Sequence, residues 1–134
     1  MKVVVDTSVW SLALRRNTSM DAIPAVNLLR DLITDGRVAM LGTVRQEVLS
    51  GIRQTEQFTR LRDYLHAFPN LELTTQDYEL AAEFYNTCRS HVIQGANTDF
   101  LLCVVAHRRG SSILTTDRDF ESFQAYIPVM LLEF

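Results

Sequence analysis

Short blocks of consecutive apolar residues alternate along this chain with longer stretches in which apolar residues recur every three or four positions. The short blocks predict strands: Lys2-Val3-Val4-Val5, Val38-Ala39-Met40-Leu41, Leu71-Glu72-Leu73-Thr74, Ser112-Ile113-Leu114-Thr115-Thr116 and Val129-Met130-Leu131-Leu132. The longer stretches predict helices. One runs from Ser8 to about Arg15. A second runs from about Ala22 to Asp35, with Ile23, Val26, Leu29, Leu32 and Ile33 at helical spacing and Gly36 as its stop. Thr43-Val44-Arg45-Gln46 fits a capping box that opens a helix ending near Gly51. Further helices are expected over Thr55–Ala67, Gln76–Val92, Thr98–Arg109 and Asp119–Ala125, with Gly95 and Asn97 interrupting before the apolar one. A β-α-β-α alternation of this kind implies a three-layer α/β/α sandwich around a mostly parallel sheet of about five strands.

Two acids stand where such strands end. Val5 runs into Asp6, and Thr116 runs into Asp117. Ligands of open α/β sheets bind at the carboxyl ends of the strands, so these positions invite chemistry. Each also has a plainer role available, because Asp before a helix often caps it. Asp99 is harder to explain structurally. It heads a helix that is apolar all round from Phe100 to Ala106 and therefore expected to be buried. The helix dipole favours a first-turn carboxylate by about 0.3–1 kcal/mol; withdrawing a bare charge from water costs several kcal/mol. Asp99 needs a strong partner or a cleft, or else serves as a local cap. Glu47 borders the stripe of Val44, Val48 and Ile52, with Arg45 and Arg53 nearby as surface partners. Alone it reads as a solvated helix-edge glutamate. It gains interest because it follows a strand as Asp6 and Asp117 do.

Four carboxylates at one sheet edge repel one another and call for a cation. An all-oxygen set suits Mg²⁺ or Mn²⁺, whereas Zn²⁺ would call for His and Cys. His66, His91 and His107 show no ligand spacing with one another, and Cys88 with His91 is a pair without partners. Carboxylates around one or two divalent cations suit phosphodiester hydrolysis, in which the metal generates a hydroxide-like nucleophile and neutralises charge on the phosphate.

Composition narrows the picture. At 134 residues with 47% apolar content, the chain is expected to form one globular domain over 1–134. No apolar run approaches the roughly 20 residues that span a bilayer, Asp6 interrupts any leader-like stretch, and two cysteines suggest no disulfide framework, so a cytoplasmic protein is expected. A net charge of −3 argues against a broad basic nucleic-acid surface. Lys2 is the only lysine among 13 cations. The arginine bias supports a phosphate-bearing substrate only weakly, since codon usage explains it as well.

Val5-Asp6-Thr7-Ser8-Val9-Trp10, Glu47 within Arg-Gln-Glu-Val-Leu-Ser-Gly, Asp99 at the head of an apolar helix, and Leu114-Thr115-Thr116-Asp117-Arg118-Asp119-Phe120 resemble the PIN domain, in particular the VapC toxins of bacterial toxin–antitoxin pairs. The resemblance covers the whole chain. It implies a Mg²⁺- or Mn²⁺-dependent endoribonuclease, a homodimer, and inhibition by a cognate antitoxin. By position it makes Asp6, Glu47, Asp99 and Asp117 the catalytic acids, with Asp6, Asp99 and Asp117 on the metal. Thr7 or Ser8, and Thr116, would supply hydroxyls near the metal or phosphate. Asp119 would be an outer carboxylate or simply a first-turn helix acid. Cys103, Val104 and Val105 depart from the small alanines common there, which concerns packing more than chemistry.

Other classes fare worse. A receiver-type phosphoacceptor needs a lysine after a late strand, and Lys2 precedes the first. A phosphatase of the haloacid dehalogenase type needs a second Asp where Ser8 stands. No phosphate-binding glycine motif and no GxSxG occurs. A PIN-type RNA-processing or DNA nuclease outside a toxin pair, and a non-catalytic binding module on the same fold, remain the alternatives.

Overall fold

The computed structural model describes residues 1–15 and 23–134. Three parallel strands form the sheet: β1 (Val3–Val5), β2 (Val38–Ala39) and β3 (Ile113–Leu114), in the order β2-β1-β3. All seven strand residues are buried, as apolar runs covered on both faces require. The other two predicted strands shrink to single parallel bridges. Asn70 pairs with Met40 outside β2, and Leu131 pairs with Ile113 outside β3. Leu71 N–H donates to Met40 O at 2.8 Å as part of the Asn70 bridge, and the run goes no further as a strand because Thr74 already caps the next helix. The order across the sheet is therefore 70, β2, β1, β3, 131, a layout of five positions with three strands.

Seven helices surround it among the described residues: α1 (Thr7–Leu14), α2 (Ile23–Thr34), α3 (Gly42–Leu49), α4 (Thr55–Leu65), α5 (Thr75–Ser90), α6 (Asn97–Arg109) and α7 (Asp119–Phe123). The predicted start of the second helix at Ala22 lies outside the described residues. The chain moves outward from β1 to β2 and Asn70, then returns across the sheet to β3. Right-handed crossovers place the connections before and after that reversal on opposite faces. The reversal falls between β1 and β3, so the gap between their carboxyl ends is the topological switch point at which such sheets bind ligands.

α6 is the core helix. Every residue from Phe100 to Ala106 is buried, and the helix lies against β1 and β3 with α5 packed on its other side. α5 is held to α6 by a buried acid: Asp77 Oδ1 lies 2.9 Å from Arg108 Nε. The contact is off the line of a good hydrogen bond and so chiefly Coulombic.

The predicted capping box at Thr43 is not formed. α3 starts one residue earlier, at Gly42, after extended Leu41, so Thr43 lies inside the helix with its hydroxyl buried and unpaired. The capping box lies instead at α5, where Thr74 Oγ1 accepts Asp77 N–H and Asp77 Oδ2 accepts Thr74 N–H. Arg45 does not serve as a partner for Glu47. Its guanidinium donates to Asn70 Oδ1 and to the Leu65 and Phe68 carbonyls, tying α3 to the end of α4.

Candidate active site

Asp6 occupies the N-cap position of α1, yet its side chain caps nothing. Its carboxylate is instead the centre of a hydroxyl network. Oδ2 accepts from Ser8 Oγ at 2.7 Å and from Thr115 Oγ1 at 2.8 Å. Those hydroxyls in turn accept backbone hydrogens: Ser8 Oγ from Thr116 N–H at 3.1 Å, Thr115 Oγ1 from Asp117 N–H at 3.0 Å. With both hydroxyl protons committed to Asp6, the 3.3 Å approach of Ser8 Oγ to Thr115 Oγ1 holds no hydrogen of its own. The network stitches the carboxyl end of β1 to that of β3, only 5% of Asp6 is exposed, and both bonds fall on one oxygen.

Thr115, not Thr116, is therefore the hydroxyl at this carboxylate. The signal was present in the strand period: positions 115 and 117 share a face and 116 takes the other. Asp117 is half-buried, and its Oδ1 accepts Asp119 N–H at 2.9 Å, so it also starts α7. Asp119 itself is exposed in the first turn of α7 and reaches Asp117 through its backbone. On the other flank Glu47 is exposed on α3, with Oε1 accepting from Thr7 Oγ1 at 3.2 Å.

Asp99 sits at the third position of α6, its Oδ2 accepting Ala96 N–H at 3.0 Å. Ala96 has no side-chain acceptor to return the bond, so only half of a capping box exists. The Asp99 carboxyl is pushed up to about 6. Burial is the main cause; the Ala96 N–H opposes it, and the charges of Asp6, Asp117 and Glu47 add to it. The carboxylates thus feel one another across the switch point. Gly95 lets α7 close on this end of α6, for a Cβ there would stand 2.6 Å from Phe123 Cζ and 2.9 Å from Phe100.

Among the described residues, no three Asp, Glu, His or Cys side chains converge tightly enough to enclose an ion. Like charges hold one another apart. The donor chemistry nevertheless fits a hard cation. The ion pairs among the described residues are Arg62–Asp63 and Arg108–Asp77, and neither includes the four acids. Cys103, one turn beyond Asp99, offers no soft ligand: burial first, then Asp99, Cys88 and Asp6, drive its thiol far above its usual range, so it stays neutral. Beside Asp117 a cleft of about 910 Å³ opens between Thr115–Arg118, α7 and residues 131–134.

The family model of the PIN domain matches residues 3–125. A VapC ribonuclease of Mycobacterium bovis and ribonuclease VapC11 of Mycobacterium tuberculosis are each 29% identical over 122 residues, covering 89% of either chain. Among solved structures, FitAcB from Neisseria gonorrhoeae superposes with a TM-score of 0.75 at 18% identity, over 98% of this chain and 96% of that one. VapBC2 from Rickettsia felis, solved with a promoter DNA fragment, gives 0.73 at 18% identity over 99% and 98%. At that identity the structures speak for the fold alone.

Proposed function

The chain belongs to the PIN domain family, and from that premise we propose that it is a divalent-metal-dependent endoribonuclease, the toxin of a VapBC-type pair held in check by a cognate antitoxin. The observation that carries the reading is Asp6: a buried carboxylate at the switch point, uncapped and without an ion-pair partner among the described residues, held by Ser8 and Thr115 and electrostatically coupled to Asp99. Support comes from the similarity to VapC ribonucleases over 89% of the chain. The whole of 1–134 acts as one nuclease domain in this reading.

Asp6, Asp99 and Asp117 would hold Mg²⁺ or Mn²⁺, with Glu47 the fourth catalytic acid. When bound, the cation supplies a nucleophilic hydroxide near neutral pH and offsets charge on the phosphate. Ser8 and Thr115 orient Asp6 by donating to Oδ2, which would leave Oδ1 to a cation. Thr7 positions Glu47 from α1. Asp99, its carboxyl raised to about 6 mainly by burial, retains some protonated form near neutrality, and a bound cation would favour the ionised form. A homodimer, an RNA substrate and a cytoplasmic setting belong to the same proposal. No helix among the described residues is long and apolar enough to cross a membrane.

The test is incubation of purified chain with single-stranded RNA, in Mg²⁺ or Mn²⁺ and then in EDTA. Cleavage should require metal and fall by about 100-fold or more in Asp6→Asn, the scale of losing one key electrostatic group. Metal-independent and equal behaviour of both proteins would leave only a binding module. Single-stranded DNA in parallel distinguishes the RNA reading from a DNA nuclease.

A further inference from the structure

We propose that the cleft beside Asp117 is a nucleotide subsite, in which Arg118 holds a backbone phosphate and an acceptor-rich wall selects a base carrying an exocyclic amino group. The inference rests on the RNA-cleaving reading above and concerns what the strand touches next to the cut.

The cleft is continuous with the catalytic edge, because Thr116 and Asp117 line it. Its volume of about 910 Å³ suits a small-molecule-sized guest. A polyanionic strand approaching four carboxylates needs a cation close by to offset repulsion. Among the described residues, Arg118 is the one cation in the lining, is exposed, and takes part in neither ion pair. Its forked guanidinium suits a phosphate. In the same lining, Leu132 and the exposed ring of Phe134 offer an apolar surface to a base face.

Acceptors dominate the remaining polar side chains, with the Thr116 hydroxyl able to donate as well. Glu121 and Glu133 carry acceptor-only carboxylates. Gln124 donates one amide hydrogen to Val129 O at 3.1 Å, and its Oε1 adds a further acceptor beside the second amide hydrogen. Guanine, cytosine and adenine present exocyclic amino donors to such a wall, whereas uracil offers a single N3–H flanked by two carbonyl oxygens that face carboxylates unfavourably. The cleft therefore disfavours uracil.

The experiment titrates a labelled single-stranded RNA against the cleavage-deficient Asp6→Asn chain by fluorescence anisotropy, with Arg118→Gln or Phe134→Ala added. Arg118→Gln should weaken binding about tenfold and lower the salt slope by about one; in the active chain it should raise KM far more than it lowers kcat. Phe134→Ala should cost about five- to tenfold, and nothing against an oligonucleotide abasic at one position. Uracil at that position should reduce kcat/KM about tenfold, a preference that Glu121→Gln or Glu133→Gln relaxes. Both Arg118 and Phe134 are exposed, so folding is not at stake, and melting curves check it. Unchanged affinity and KM in both variants, with wild-type cleavage intact, overturn the subsite alone. If the wild type cleaves no RNA, the nuclease reading falls. The anisotropy series then decides the subsite by itself: a retained loss supports it and an unchanged titration overturns it.

Discussion

Helices α5 and α6 follow one plan and serve opposite ends. Each carries an aspartate at its third position that accepts the N–H of the residue three before it, Asp77 from Thr74 at 2.9 Å and Asp99 from Ala96 at 3.0 Å. Each ends with the same paired bonds across a left-handed residue: Val92 and Ile93 donate to Arg89 and Cys88, Gly110 and Ser111 to His107 and Ala106. Their surroundings differ. Asp77 meets Arg108 and a returning threonine hydroxyl, and so binds α5 to α6. Asp99 meets three more acids and no arginine, and its carboxyl climbs to about 6. A local motif fixes where a carboxylate stands; the neighbours decide whether it stabilises the fold or waits for a ligand.

The largest expected contrast is catalytic. Asp99→Asn should reduce metal-dependent kcat/KM by about 100-fold or more, while Asp77→Asn, assayed well below its melting temperature, should stay within about threefold. Equal losses would break the comparison. In stability the order reverses. Asp77→Ala removes both the cap and the partner of Arg108 and should cost about 2–3 kcal/mol by urea unfolding, part of the ion-pair share being screened because Arg108 is partly exposed.

Asp99→Asn should instead stabilise the metal-free protein, by about 1–2 kcal/mol at pH 7.5 in EDTA after allowance for partial exposure. The sign follows from a folded-state value near 6 against 3.8 for the free group. Wild type suffers no penalty below about pH 4, loses stability as pH rises through 6, and is fully penalised above it. About half of the advantage of the variant should persist at pH 5, and two urea titrations at these pH values would show it. The smallest effect concerns the helix ends. Val92 is β-branched, 86% exposed and held at φ 62°, where α6 has Gly110 at φ 63°. Val92→Gly should gain about 1 kcal/mol, read as a higher melting temperature, because it relieves strain without losing packing.

Much of this was legible in the chain. Asp6, Asp99 and Asp117 were visible from their positions at the ends of apolar runs, because burial of a parallel sheet and of α6 leaves a period that sequence carries. The edge strands were not: Leu71–Thr74 has the composition of a strand, but Thr74 and Asp77 lock its end into a cap. Arg45 could not be assigned from its neighbours, since its partners lie 20 to 25 residues away. Thr115 was hidden for a similar reason. Its role is set by Asp6, 109 residues distant, and only the strand alternation hinted that it, and not Thr116, faced inward.

That separation has a consequence for biosynthesis. The bond from Thr115 to Asp6 joins the first strand to a segment translated 109 residues later, so a growing chain cannot close this carboxylate edge until Thr115 has left the ribosome. On the reading proposed above, a polypeptide able to sever RNA would stay harmless to the machinery making it until that segment emerges, and termination before Thr115 would release an inert fragment.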